Sequence, residues 1–74
     1  MNDVAINEFS SVEHWAPPFT VIVTGSGAHV KDKTDYTVAQ VITPSRYTPD
    51  EKVRVGRTVA TMLELRHASW EASL

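Results

Sequence analysis

The densest group of side chains suited to recognition is Arg46, Tyr47, Lys52, Arg54 and Arg57. Guanidinium forks match carboxylates and phosphates in a two-pronged geometry, and a tyrosine ring offers a face for stacking. Arg54 and Arg57 are three apart, which on a helix sets them on one side of its opening turns. Lys52 lies beside them, and Arg46-Tyr47 falls in the connection leading in. The bland alternative pairs Arg54 with Asp50, four residues earlier, and leaves the other charges solvated. Trp15 and Trp70 are the two largest side chains. Each completes a core or, where exposed, anchors a partner.

Other chemistries find little support. His14, His29 and His67 fall in three separate segments, and none has a second ligand at the i, i+4 spacing that lets one helix hold a metal. The absence of cysteine removes thiolate ligands, disulfides and sulfur nucleophiles together. Gly25-Ser26-Gly27 is followed by Ala28-His29-Val30, a strand-like run. It reads as a hairpin reversal rather than a phosphate cradle, which needs a helix N-terminus behind it. No serine sits in a strand–turn–helix elbow, and no carboxylates pair in an acid–base context. A chain of 74 residues also has little room for a water-excluding pocket. The expectation is a protein that is not an enzyme and uses neither metal nor cofactor.

Positioning these residues requires a helix and a sheet. Thr48-Pro49-Asp50-Glu51 puts a hydroxyl at the N-cap, proline at the first helical position and carboxylates at the positive end of the dipole. Glu51 is placed to close a capping box. Val53, Gly56, Ala60, Leu63, His67 and Trp70 then recur at spacings of three and four, and Val55, Val59 and Met62 widen the stripe into an arc that covers a sheet. This predicts a helix over 49–70. Gly56 on that arc predicts close backbone packing, since an uncompensated glycine costs a helix about 1 kcal/mol relative to alanine. Leu65, Ala68 and Ala72 join Thr58 and Thr61 in a weakly apolar stripe on the opposite side.

Residues 18–43 read as antiparallel strands. Phe19 to Thr24 alternates, Ala28 to Lys31 begins a return strand, Asp32 to Asp35 reads as a second turn, and Tyr36 to Thr43 runs up to Pro44. Residues 1–17 are ambiguous. Ser10-Ser11-Val12-Glu13 suits a capping box for a short helix packed by Trp15, whereas Val4-Ala5-Ile6 suits an added edge strand. The short helix or an irregular segment is favoured. The predicted fold is thus a single α+β domain over 1–74: a three-stranded antiparallel sheet covered by one long C-terminal helix, with a short N-terminal helix.

Composition narrows the function classes. Seven Lys+Arg against nine Asp+Glu give a net charge of −2, which disfavours a general nucleic-acid binder. The charge is uneven: −3 over residues 1–30, +2 over 31–57 and −1 over the remainder. No segment resembles a secretory signal or a membrane span, which makes a soluble cytoplasmic protein the default and a membrane partner unexpected. The leading expectation is a binding module that docks on another protein by steric fit. Small inhibitors and adaptors of this size, many encoded by phages and other mobile elements, work in that way. The basic start of the helix would meet an acidic patch, and a sheet edge or a tryptophan would add apolar contact. Nucleic-acid binding through the same basic helix start is the second reading. The order of short helix, three strands and long helix is also that of double-stranded-RNA-binding domains. Their dense lysine cluster is represented here only by Lys52, Arg54 and Arg57 beside Asp50 and Glu51. A homodimeric assembly subunit is the third, because a chain this short gains most from burying further apolar surface.

Overall fold

Thr48-Pro49-Asp50-Glu51 starts a helix in the computed structural model, which describes residues 4–74. Helix α1 spans Pro49–Ala72 and closes the capping box reciprocally. The Glu51 amide donates to Thr48 Oγ1 at 3.2 Å, and the Thr48 amide donates to Glu51 Oε1 at 2.8 Å. Those bonds from Thr48, aided by the positive charges of Arg54 and Arg46, hold the Glu51 carboxyl below its ordinary value. The helix runs two residues past the predicted end, because no glycine or proline follows Trp70 to stop it.

The sheet has four strands rather than three. The predicted three form a meander of β2 (Thr20–Thr24), β3 (Gly27–Lys31) and β4 (Thr37–Ile42), joined first by the two-residue turn Gly25-Ser26. The fourth, β1 (Ala5–Glu8), pairs antiparallel with β4, giving the spatial order β1-β4-β3-β2. The expected N-terminal helix is therefore corrected to an edge strand followed by one 3-10 turn at Val12–His14. Two causes are visible. Pro17-Pro18 leaves no length for an α-helix, and the Ser10 hydroxyl that would cap it instead accepts from the Trp15 indole N–H at 3.0 Å. With a strand and a single 3-10 turn in place of the expected short helix, the described elements differ from the order of double-stranded-RNA-binding domains.

Opposed residues in an antiparallel sheet share a face, so the register sorts the side chains. Val21, Val23, Ala28, Val30, Ala39 and Val41 turn toward α1, and Ile6 and Glu8 join them from β1. Val38 is the extra residue where the β3–β4 register shifts, and it is also fully buried. Ala28, Val30, Val38, Ala39 and Val41, with Trp15, Val59, Ala60 and Leu63, form the core; Val21 packs against it, and Val23 stays exposed near the turn end of β2. The other face carries Ala5, Asn7, Thr20, Ile22, His29, Gln40 and Ile42, and no described element covers it.

Gly56 lies over β2 and β3 because nothing larger fits. A Cβ there would stand 2.5 Å from Val21 Cγ1 and 3.3 Å from Ala28 Cβ. Trp15 closes the end of the core from which β2 starts. It is 4% exposed, its ring meets Phe19 edge-on at 6.0 Å, and the Arg66 guanidinium lies 5.7 Å above it while also gripping Glu8 at 2.7 Å. Arg66 thereby ties α1 to β1. The acidic first third of the chain is matched here by the last third rather than by the basic middle.

The β3–β4 connection is built on one buried carboxylate. Asp32 Oδ1 accepts from the Thr34 amide, the Thr34 hydroxyl and the Tyr36 amide, at 2.9, 2.6 and 3.2 Å, and Asp35 takes the left-handed conformation the turn needs (φ 71°). Burial raises the Asp32 carboxyl, but the bonds from Thr34 and Tyr36 outweigh it and hold it below 3.8.

Two outcomes follow. Gly56→Ala adds about 1 kcal/mol of helix propensity but loses about 1–3 kcal/mol to overpacking against stiff, β-branched Val21, so urea unfolding should show a net loss of stability. The depressed Asp32 carboxyl contributes stability that is present above pH 3.8 and fades as the pH falls through its lower folded-state value. Asp32→Asn should lower the melting temperature at pH 7 and narrow its gap from wild type on going to acid. Thermal scans from pH 7 to about 2.5 read this directly.

Candidate functional site

The predicted basic cluster does not act as one group. Lys52 is taken up by the fold: its Nζ donates to the Thr24 and Gly25 carbonyls at 3.0 and 3.1 Å, pinning the start of α1 to the β2–β3 turn. Arg46 lies 5.7 Å from the centre of the Tyr47 ring, and its charge reaches Glu51. Tyr47 itself faces a different flank of the helix. Arg54 makes no ion pair with Asp50 among the described residues, and its charge is felt at Glu51 instead. Arg57 is exposed and has neither an ion pair nor a side-chain hydrogen bond among the described residues. Arg54 and Arg57 therefore remain as two guanidiniums presented outward, one turn apart.

The tryptophans also separate. Trp15 belongs to the core and holds its indole N–H on Ser10, the core alternative of its two expected roles, so it is not available as a partner anchor. Trp70 is half-buried near the C-terminal end of α1, tilted against His67 with ring centres 5.5 Å apart. It lies about four helical turns from Arg54 and does not share a surface with it. His67 is 7% exposed, with Nδ1 3.5 Å from Glu71 Oε1. Of the arc predicted to cover the sheet, Met62 departs: it is 54% exposed.

Two grooves flank α1. Along β1, Val4, Ile6, Tyr47, Val55, Val59 and Met62 line an apolar depression of about 420 Å³. Along β2, Phe19, Val21, Arg57, Ala60, Thr61 and Glu64 line a second one, also about 420 Å³. The β2 groove is the more polar of the two: Phe19, Val21 and Ala60 share it with Thr20, Thr61 and two opposite charges. Arg57 provides the cation, and Glu64 Oε2 is occupied by the Phe19 amide at 3.2 Å. The helix runs antiparallel to β2: Lys52 sits at the Thr24–Gly25 end, Gly56 over Val21, and Glu64 at Phe19. Arg57 consequently stands beside the middle of β2, and Arg54, nearly opposite Gly56 around the helix, points away from the sheet. Because Gly56 lets the helix lie low, its flank and the strand's outer edge form the two walls.

Phe19, Val21 and Glu64 were not legible as site residues. The one signal in the sequence is that Phe19 to Thr24 is a β-prone run with no charge and no proline, the composition of a strand that needs covering. That signal acquires meaning only when β2 is known to lie at a sheet edge. Among the described residues no group of His, Asp or Glu is arranged to hold a metal ion, and no helix is long and apolar enough to cross a membrane. No protein-family model, curated protein or solved structure shows significant similarity to the chain.

The different uses of these cations predict different costs. Lys52→Met removes charged donors from two carbonyls and should lower stability by about 1–2 kcal/mol. Arg54→Ala and Arg57→Ala, singly or together, should stay within about 0.5 kcal/mol of wild type, as surface substitutions do. Urea unfolding of the three variants provides the comparison.

Proposed function

We propose that this protein is a non-enzymatic binding module that docks on an acidic segment of another protein, acting by steric occupation rather than by chemistry. The observation that carries the reading is that Arg57, without an ion-pair partner among the described residues, lines a groove with Phe19, Val21 and Ala60 beside an uncovered strand edge, while Arg54, also without an ion pair there, stands one turn away on the outward side of α1. Guanidiniums already neutralised within the fold would contribute little to a partner. These two keep their donors available for bidentate carboxylate contacts, while Phe19, Val21 and Ala60 in the groove supply a smaller apolar contact. Duplex nucleic acid is less well served, because Lys52 is spent on backbone carbonyls and two arginines give few phosphate contacts.

A photo-crosslinking amino acid at Thr61, on the rim of the groove, tests this in the producing cells. Adducts should form with acidic proteins, weaken with rising salt, and disappear in the Arg54→Glu/Arg57→Glu double variant. An adduct pattern that is unchanged by charge reversal would overturn the reading. So would tight, salt-sensitive binding of duplex DNA or RNA at about 50 mM salt in place of any protein adduct.

A further inference from the structure

We infer that the outer edge of β2 accepts an extended acidic segment of the partner as a fifth strand, with a carboxylate of that segment held by Arg57. This rests on the docking reading above and specifies its mode. The two-residue turn Gly25-Ser26 closes on the pair Thr24↔Gly27, which makes that pair the hydrogen-bonded one. Alternation then assigns Ile22↔His29 and Thr20↔Lys31 to the same class, so these residues direct their backbone groups at β3. Val21 and Val23 turn their N–H and C=O groups outward, where β2 has no neighbouring strand. The next outward donor, the Phe19 amide, already binds a carboxylate, that of Glu64. The free edge thus runs from Val21 to the turn that Lys52 pins, enough for a segment of roughly five residues.

This edge lacks the devices that normally prevent strand addition. It contains no lysine, no proline and no bulge, since the register shift lies on the far side of β3. The β1 edge differs: it is four residues long and is braced by the Glu8–Arg66 ion pair. Residues of an added strand opposite Val21 and Val23 would point into the groove beneath Arg57. The residue between them would lie beside Ile22, which is 49% exposed on the open face. The favoured segment therefore alternates acidic and β-branched residues. A second copy of this chain satisfies the same backbone groups when two β2 strands pair about Ile22. That arrangement brings Arg57 of both copies toward one axis, so like charge opposes it and an acidic partner is preferred.

The probe is a blocked heptapeptide, Thr-Glu-Val-Glu-Val-Glu-Thr, titrated into the ¹⁵N-labelled full chain at low salt, with Thr-Lys-Val-Lys-Val-Lys-Thr as its charge inverse. Strand addition should shift the Val21 and Val23 amides and slow their hydrogen exchange, leaving those of Ile22 and Thr24 unchanged because they are already bonded to β3. Arg57→Glu should weaken the acidic peptide by about tenfold or more, which is about 1.4 kcal/mol, and transfer the preference to the lysine peptide. Val23→Pro removes only an outward donor and should abolish binding while the spectrum stays folded; should that variant unfold, the Arg57→Glu comparison decides alone. Perturbation confined to the β1 groove, or no shift at millimolar acidic peptide, would overturn strand addition, and equal binding of both peptides would overturn the carboxylate contact with Arg57. Thr61 crosslinks that survive Val23→Pro would leave the docking reading standing without it, whereas loss of crosslinks to charge reversal together with alternating amide protection supports both.

Discussion

A methyl group at residue 56 would stand 2.5 Å from a methyl of Val21, and most of the architecture follows from its absence. The glycine lets α1 settle onto β2 and β3, which buries Ala28 and Val30 completely and brings Val59, Ala60 and Leu63 into the same core. Helix propensity alone would select alanine at this position, and the packing term outweighs it. The same close approach shapes the surface. A helix lying low over one half of a four-stranded sheet leaves a groove on each flank, and the groove on the β2 side opens onto an unpaired strand edge.

Electrostatics then distinguish the two flanks. Each charge near the fold's junctions is committed: Lys52 to the β2–β3 turn, Arg66 to Glu8 and the face of Trp15, Glu64 to the Phe19 amide, Glu51 to the helix start. Arg54 and Arg57 stand outside these arrangements, Arg57 beside the middle of β2 and Arg54 on the outward side of the helix. A chain with a net charge of −2 thereby presents a local positive site beside an edge able to form hydrogen bonds. In the proposed strand addition, backbone pairing would supply affinity and a carboxylate contact selectivity, from adjacent but separate groups.

Much of the helix was legible in the sequence because its signals are local. The capping box needs only Thr48 and Glu51 at a fixed spacing, and the burial of Gly56, Ala60, Leu63 and His67 follows from a period of 3.6. The three meander strands and the Gly25-Ser26 reversal were legible for the same reason, through alternation and turn chemistry. The N-terminal segment was not. Ala5-Ile6-Asn7-Glu8 becomes a strand by pairing with Ile42 to Ala39, more than thirty residues away, and no local pattern encodes that partner. The Ser10 hydroxyl, read as a helix cap, was claimed instead by the Trp15 indole.

The sequence by itself determined which segments would be helix, turn and meander, and that Arg54 and Arg57 would share one side of a helix, since these depend on interactions within a few residues. Tertiary structure alone decided that Lys52 would be consumed and Arg57 left available, that Trp15 would be core, and that β2 would lie at an edge. Those outcomes depend on which backbone carbonyls and amides are brought within about 3 Å of a given side chain. That proximity is set by the crossing of β1 to the far edge and by the depth at which Gly56 seats the helix.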